Sequence, residues 1–279
     1  MTGRPDFTDA PPGRGAQPRM ARRSFLTMAA GAAAACPLCL LAASRQGAEA
    51  QAVHTAPHWD YTGAAAPERW GNLSPDFRVC SLGMEQTPVD LTGAVRAEAG
   101  AVEPNFQPMP LRIVNNGHTI QVNCPPGSTT KINGATYDLA QFHFHHPSEH
   151  LLNGSRFDLE CHFVHRNAAG DLAVVGVFLR PGAANAALEP IWQAMPAKEG
   201  PEVQTAATIR PADLLPRDRA YFRYFGSLTT PPCSEGVLWT VYRDPIEISR
   251  EQVVRFAQLF PANARPVMPL NRRFLLEAN

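Results

Sequence analysis

Apolar residues recur in short runs along residues 51–279, and several runs alternate apolar and polar positions as half-buried strands do. The clearest β-prone runs are LRIVNNG (111–117), HTIQVNC (118–124), FDLECHFVH (157–165), LAVVGVFLR (172–180) and VLWTVYR (237–243). Helical signals are few. The best cover residues 184–195 and 249–260, the second with Ser249 at the N-cap position.

The connections between these runs carry turn signals. Asn116-Gly117, Asn133-Gly134 and Asn153-Gly154 are pairs that favour tight turns between strands. No stretch after residue 51 resembles an interdomain linker, and no internal repeat is present in the sequence. The pattern therefore predicts one mainly β (α+β) domain over residues 51–279, with a mostly antiparallel sheet and a few short helices.

The first 50 residues have a different pattern. Residues 1–20 are rich in Pro, Gly and Arg without an apolar period, which is typical of unstructured chain. The stretch Arg22-Arg23-Ser24-Phe25-Leu26 resembles a twin-arginine export motif, and an Ala-rich run then leads to the small-x-small cleavage pattern Ala48-Glu49-Ala50. We predict that residues 1–50 are an N-terminal extension and signal peptide that is removed, with translation starting at Met1 or Met20.

A membrane anchor is the alternative for this segment. The 21 uncharged residues between Arg23 and Arg45 are nominally enough to span a bilayer. The run is mostly Ala and Gly, however, and it contains Pro37, so it is only weakly hydrophobic. The sequence therefore favours export to the periplasm or secretion, without stable membrane insertion after processing.

Charge and cysteine content narrow the class of protein. The chain has 25 basic and 25 acidic residues, and removal of residues 1–50 would leave a formal net charge of −3 with no polybasic stripe. This balance argues against a nucleic-acid partner. Four cysteines follow residue 50, and in an exported protein we expect at least one pair of them to be oxidised. They are Cys80, Cys124, Cys161 and Cys233.

Six of the nine histidines lie between His143 and His165. In the run QFHFHHPSEH (141–150), strand alternation places Gln141, His143 and His145 on one face and two phenylalanines on the other. In the later run, Glu160, His162 and Val164 share a face in the same way.

Pairing these two strands brings His143, His145 and His162 together. Three neutral imidazoles with a fourth position left for water form a catalytic type of zinc site. Gln141 and Glu160 share the ligand faces, so they can accept the outer N–H of the ligating rings.

The spacing of these residues also allows a different set of metal ligands. His143, His145 and Glu149 also fit the first motif of cupins, in which both histidines and the glutamate bind iron or manganese. That motif expects glycines where this chain has Tyr137 and Arg156, and its second motif is absent around His162. Metal identity separates the two hypotheses.

Eight segments, taken in order, form a specific pattern. They are HWDYTG…PERWGNL (58–73), EQTPVDL (85–91), NNGHTIQV (115–122), QFHFHHPSEH (141–150), LECHFVH (159–165), LAVVGVFL (172–179), YFGSLTTPPCSEGVLW (224–239) and ARPVMPLNRR (264–273). In this order they resemble the α-class carbonic anhydrases, of the bacterial exported type, over nearly all of residues 51–279.

The resemblance implies a twisted, mainly antiparallel central sheet with Zn²⁺ at the bottom of a conical cleft. It implies His143, His145 and His162 as ligands, with Gln141, Glu160 and a backbone carbonyl near Asn263 as their outer partners. It also implies a disulfide between Cys80 and Cys233, as in bacterial members.

The resemblance further implies roles around the metal. Glu149 would accept a hydrogen bond from Thr229, which would orient a zinc-bound hydroxide, and His118 would shuttle protons. The remaining implied residues line the cleft. The substrate wall would contain Val164, Val174, Leu228, Thr230 and Trp239, and the polar residues near the shuttle would be Tyr61, Asn116 and Gln121.

The implied activity is reversible hydration of carbon dioxide to bicarbonate and a proton. The alternative is a catalytically inactive relative that acts as a binding module, although such relatives typically lose a ligand histidine. No interface signal indicates an oligomeric state.

Overall fold

The computed structural model of this protein describes residues 57–279. The predicted extension, twin-arginine motif and cleavage pattern lie outside the described residues. Among the helices within them, none combines the length and the hydropathy that a membrane crossing requires.

Strands dominate the described residues, because the short alternating runs pair with one another. In chain order the strands are β1 Asp90–Leu91, β2 Val95–Arg96, β3 Val102–Asn105, β4 Met109–Asn115, β5 Ile120–Asn123, β6 Thr129–Ile132, β7 Ala135–His145, β8 Leu151–Leu152, β9 Leu159–Arg166, β10 Leu172–Pro181, β11 Val203–Ile209, β12 Tyr221–Ser227, β13 Glu235–Tyr242, β14 Ile246–Ile248 and β15 Leu276–Ala278.

One large sheet contains 13 of these strands, in the order β11-β4-β5-β7-β9-β10-β13-β12-β15-β2, with β14 beside β10 and the β3–β6 pair beside β7. Most neighbours are antiparallel. The exceptions in this sheet are β10 with β13, β10 with β14, and β15 with β2. Strands β1 and β8 form a separate parallel pair. The predicted fold class, a mainly β domain on a mostly antiparallel sheet, is confirmed.

The helices are short and peripheral. The α-helices are α1 Trp70–Leu73, α2 Val79–Leu82, α3 Glu189–Ala194 and α4 Arg250–Ala257, and 3-10 turns cover Gly63–Ala65, Pro67–Arg69, Pro75–Phe77 and Pro211–Leu214. Ser249 caps α4, since its side chain accepts from the Gln252 backbone N–H while the Gln252 side chain accepts from the Ser249 backbone N–H. Helix α3 begins five residues later than predicted, because Pro190 fits only in a first turn.

The register between β7 and β9 decides which side chains lie on the histidine face of the sheet. Leu139 pairs with His165, but Gln141 already pairs with Val164, so Ala140 is an extra residue on β7. This bulge lets Leu139 and Phe142, an odd number of residues apart, both enter the main core. Beyond the bulge, His143 lies directly opposite His162.

The two faces of the sheet bury different clusters. The larger cluster contains Phe142, Phe144, Phe163 and Trp192. It also contains Cys161, which faces away from the histidines because it alternates with Glu160 and His162 along β9. A second cluster contains Val174 and Trp239. The histidine face of β7 and β9 is therefore backed by a rigid aromatic layer.

A histidine inside the larger core gives the fold a pH dependence. His165 is fully buried, its Nε2 lies 2.9 Å from the Thr130 hydroxyl, and burial lowers its pKa to about 4. The unfolded chain takes up this proton near pH 6.5, so the contribution is complete above that value. It is lost as the pH falls towards 4, by roughly 3 kcal/mol in total.

We expect His165→Gln, which keeps a partner for Thr130 but does not titrate, to flatten this dependence. Denaturant unfolding at pH values from 7.5 to 4.5 measures the free energy of unfolding of both proteins. Parallel curves for the wild type and the variant would assign the acid sensitivity to other groups.

Candidate metal centre

Three histidine rings converge on one face of the sheet. His143 and His145 come from β7 and His162 from β9, and a ring nitrogen of each lies within 4.8 Å of the others. The ring centroids are 5.0 Å apart for His143–His145, 5.4 Å for His143–His162 and 4.6 Å for His145–His162. The strand alternation and pairing deduced from the sequence bring these rings together.

The outer nitrogens of two rings are fixed by oxygen acceptors. His143 Nδ1 donates to Gln141 Oε1 at 2.8 Å, and His145 Nδ1 donates to the Asn263 carbonyl at 2.7 Å. Both rings are thereby held with an unprotonated Nε2. His145 Nε2 is buried without a hydrogen-bond partner among the described residues.

His162 presents the opposite nitrogen. Its Nε2 lies 2.9 Å from Glu160 Oε1, within ion-pair distance but outside hydrogen-bond alignment, and its Nδ1 lies on the cluster side, 3.8 Å from Glu149 Oε2. Burial lowers the pKa of His145 and, together with the other two rings, lowers the pKa of His143 well below its usual value. Burial acts the same way on His162, but Glu160 outweighs it and raises the pKa.

Glu160 organises the outer side of the cluster. Its Oε2 accepts from the backbone N–H groups of Glu149 and His150, both at 2.9 Å, and its Oε1 accepts from His150 Nδ1 at 2.7 Å. Burial alone would raise the pKa of Glu160, but His150 and His162 hold it well below its usual value. Glu160 therefore remains ionised next to the third ring.

His150 received no role from the sequence, and the structure gives it a structural one. Its Nε2 lies 2.6 Å from the Tyr224 hydroxyl, and that hydroxyl oxygen lies 3.3 Å from Thr87 Oγ1. His150, Glu160 and His162 also lie close enough to hold a metal ion. Because both His150 nitrogens are already hydrogen-bonded, the three-histidine group is the better metal site.

Glu149 is buried beside the three rings. Its Oε1 accepts from the Arg265 backbone N–H at 2.8 Å, while its Oε2 lies 3.5 Å from His145 Nε2 and has no partner among the described residues. The implied bond between Glu149 and Thr229 is not among the hydrogen bonds of residues 57–279, because Oε2 is turned towards the rings. Thr229 is itself buried.

The donor set fits Zn²⁺. Two unprotonated Nε2 atoms and one Nδ1 converge from neighbouring strands, and each ring has an outer oxygen nearby. His145 Nε2 has no hydrogen-bond partner in the described part of the chain. The orphaned Glu149 Oε2 is an acceptor at the same place, available to a polar hydrogen that a filled site would bring.

The half-buried His118 lies in the turn after β4. Asn116 Oδ1 accepts from the His118 and Thr119 backbone N–H groups, and the His118 ring stacks on Trp59 with centroids 3.6 Å apart. Burial lowers the pKa of His118, Asp60 opposes this, and His58 lowers the pKa further. Trp59 was not predicted, although it lies in the quoted 58–73 segment.

The predicted cleft residues fall into a polar and an apolar group. Asn116 donates to Gln121 at 3.4 Å, and Tyr61 packs edge-on against Trp59. Burial, followed by Glu149, raises the pKa of Tyr61 well above its usual value, so its phenol stays protonated. The predicted wall residues Val164, Val174, Leu228 and Trp239 share the second cluster.

The Thr229–Thr230 loop is tied down by covalent and hydrogen bonds. The Cys233 backbone N–H donates to the Thr230 carbonyl at 2.9 Å, and the Cys233 side chain forms a disulfide with Cys80. The implied Cys80–Cys233 pairing is therefore present. In the described part of the chain, Cys124 and Cys161 are free thiols.

Comparisons with known proteins converge on one family. Residues 65–278 match the family model described as eukaryotic-type carbonic anhydrase. A carbonic anhydrase of Nostoc sp. is 48% identical over 227 residues, covering 79% of this chain and 86% of that protein. Dioscorin dioA3 of Dioscorea japonica is 37% identical over 218 residues, covering 74% and 80%. The solved structure of the α-carbonic anhydrase from Thermovibrio ammonificans with the inhibitor sulfanilamide matches with a TM-score of 0.77 at 44% identity, covering 79% of this chain and 99% of that one.

Proposed function

This chain belongs to the eukaryotic-type, or α-class, carbonic anhydrase family and is a carbonate dehydratase, and from this premise we propose that it hydrates carbon dioxide at a Zn²⁺ ion held by His143, His145 and His162. The substrate pair is carbon dioxide and bicarbonate. Family membership removes the ground for the cupin hypothesis, in which Glu149 would bind iron or manganese.

The observation that carries the proposal is that two of the three converging rings are held with an unprotonated nitrogen towards the cluster. His143 and His145 are held with Nε2 unprotonated by Gln141 and the Asn263 carbonyl, and His145 Nε2 is buried without a partner among residues 57–279. Bound Zn²⁺ supplies a Lewis acid that allows water to ionise near neutral pH, a property for which carbonic anhydrase itself is the standard example.

The residues around the rings orient the reactants. Glu149 Oε2 is buried and has no hydrogen-bond partner among residues 57–279. In the zinc-loaded protein we assign the Thr229 hydroxyl to this oxygen, so that the hydroxyl would donate to Glu149 and accept from the reacting oxygen. Val164, Val174, Leu228 and Trp239 form an apolar wall that suits carbon dioxide, which has no charge to hydrate. Thr230 lies next to Thr229 on the same tethered loop.

His118 moves the product proton. A lowered pKa keeps its ring neutral near pH 7, ready to accept a proton from cleft water and to release it to buffer. Its half-buried position gives access to both cleft and solvent. Asn116, Gln121 and Tyr61 supply polar groups beside this route.

The cellular location is part of the proposal. A disulfide in the described residues and carbonic anhydrases from bacteria among the relatives support an exported protein. We assign residues 1–50 to a removed extension and twin-arginine-type signal, and residues 51–279 to the catalytic domain.

Stopped-flow hydration of carbon dioxide by the zinc-loaded protein tests the function. We expect zinc-dependent hydration far above the rate of the same concentration of free zinc. The competing hypothesis is an inactive binding module, and a dioscorin among the relatives is the reason to test it. A loaded protein no faster than free zinc would rule out the proposed enzyme function.

We expect His118→Ala to lower turnover in dilute buffer by roughly tenfold or more while leaving kcat/KM for carbon dioxide nearly unchanged, since only proton transfer is affected. Added imidazole should restore part of the turnover. The measurement is turnover against buffer concentration, and a variant with the buffer dependence of the wild type would remove the shuttle role from His118.

A further inference from the structure

A chain of hydrogen bonds links the turn of His118 to a carboxylate outside the cleft. Asn116 Nδ2 donates to Gln121 Oε1 at 3.4 Å, and Gln121 Nε2 donates to Asn123 Oδ1 at 2.7 Å. Asn123 Nδ2 then donates to Glu202 Oε2 at 2.6 Å, and the other Glu202 oxygen is held by Arg112 at 2.8 and 2.7 Å. We call Asn116, Gln121, Asn123 and Glu202 the amide relay.

The hydrogen bonds of the amide relay can be donated in only one direction, from Asn116 towards Glu202. At one end, Glu202 is an ionised carboxylate and can only accept, and the bond from Asn123 followed by those from Arg112 lowers its pKa. At the other end, Asn116 Oδ1 is occupied by two backbone N–H groups, so its NH₂ must point towards Gln121. Between these ends, the Gln121 and Asn123 amides can form all of these hydrogen bonds in only one orientation.

The relay lies on the face that carries the metal ligands. Gln121 pairs with His143 across β5 and β7, and Asn123 pairs with Gln141, so both side chains project on the histidine side. The segment before β11 also braces the turn directly, because Gly200 N–H donates to the Asn115 carbonyl at 3.1 Å. The chain of hydrogen bonds therefore begins at Glu202 and ends at the turn that carries His118.

We propose that Glu202 is a positioning residue for proton transfer: its carboxylate, held by Arg112, sets the orientation of the Asn123, Gln121 and Asn116 amides and thereby fixes the turn that presents His118. The kinetic part rests on the proposed shuttle role of His118, whereas the structural part does not. Nothing in the wall residues or the three ligands takes part in the relay.

The substitution Glu202→Gln replaces the acceptor that faces Asn123 with a donor and hardly changes the shape of the side chain. The amide oxygen of the new side chain is held by the Arg112 guanidinium, which makes the stronger, charge-assisted bonds, so the NH₂ faces Asn123. Asn123 and Gln121 must then turn, and a donor meets a donor at Asn116, which cannot turn without losing two bonds. The hydrogen bond that is lost is the longest of the relay, between Asn116 and Gln121, which is also the one nearest to His118.

We expect this variant to lower turnover in dilute buffer by about threefold or more, with kcat/KM nearly unchanged, as loss of alignment at His118 requires. We also expect the backbone N–H groups of His118 and Thr119 to exchange with solvent about tenfold faster, because their acceptor is no longer fixed. Amide exchange by NMR on the zinc-loaded full chain measures this without reference to catalysis.

A second substitution restores the direction. In the double variant Asn123→Asp/Glu202→Gln, the carboxylate at 123 accepts from Gln121 on one side and from the new amide at 202 on the other, and net charge equals that of the wild type. We expect turnover and exchange to return to wild-type values. Glu103→Gln, the same change at an exposed position of β3, is the matched control and should change neither.

The outcomes separate the relay from the shuttle. Wild-type exchange at His118 and Thr119 in Glu202→Gln, or failure of the double variant to restore it, overturns the relay. If exchange behaves as expected but His118→Ala has wild-type buffer dependence, the relay stands and the shuttle role of His118 fails.

Discussion

Replacing His145 with alanine is expected to release zinc and with it the hydration activity. The proposed ligand atom His145 Nε2 is buried and has no hydrogen-bond partner among the described residues, so this substitution removes one of the three proposed nitrogen donors. Zinc affinity should fall by more than the roughly 10- to 100-fold that loss of an outer partner typically costs. Metal content after dialysis against a chelator, read together with stopped-flow hydration, measures the effect.

The neighbouring histidine offers a matched control. His146 Nδ1 lies 2.9 Å from the Pro261 carbonyl, away from the cluster, so His146→Ala should keep stoichiometric zinc. Because His145 is buried, thermal unfolding of the zinc-free variant against zinc-free wild type shows whether the fold survives, and His143→Ala gives a second, less buried test. Tight stoichiometric zinc in His145→Ala would refute the ligand assignment.

Replacing Glu160 with glutamine is expected to weaken both the fold and the metal site. One carboxylate oxygen accepts from two backbone N–H groups, so the amide oxygen must stay there and the NH₂ must face His150 and His162. His150 can accept by moving its proton to Nε2, facing Tyr224. His162 Nε2 can accept only if the ring proton moves to Nδ1, the proposed ligand atom.

This conflict sets the expected size of the effect. Zinc affinity should fall by about 10- to 100-fold, and the zinc-free protein should lose about 1–3 kcal/mol of unfolding free energy through the weakened buried bonds. Chelator competition and denaturant unfolding measure the two quantities separately. Glu103→Gln again supplies the control, and a Glu160→Gln protein that binds zinc as the wild type does would show that the carboxylate does not select the tautomer of His162.

The parts of the site that follow from local alternation were predictable from the sequence. Period-two spacing places Gln141, His143 and His145 on one face, and the same rule places Glu160 and His162 on the partner strand. The strand β11 was not singled out, because it is largely exposed and carries small and polar residues. Its place beside β4 depends on backbone pairing more than on a buried apolar face.

Contacts between distant segments were beyond local patterns. Tyr224 meets His150 and Arg265 meets Glu149 across 74 and 116 positions, and neither pair has a spacing that points to it. The guanidinium of Arg265 is buried and donates to the Thr87 and Cys80 carbonyls, although an arginine is ordinarily expected at the surface. The resemblance supplied the Asn263 carbonyl, which spacing alone could not.

The extra residue Ala140 reverses the alternation of buried and exposed positions along β7. Before it, odd-numbered positions such as Tyr137 and Leu139 are buried, and after it the even-numbered Phe142 and Phe144 take their place. Because Leu139 and Gln141 pair with the consecutive residues His165 and Val164, loss of Ala140 alone would give a regular strand that keeps the phenylalanines and the histidines on their present faces. From Gln141 to His145 every residue is paired, so loss of one residue there would exchange the faces of the phenylalanine and histidine positions, and the length of this segment is as strongly constrained as the identity of any histidine.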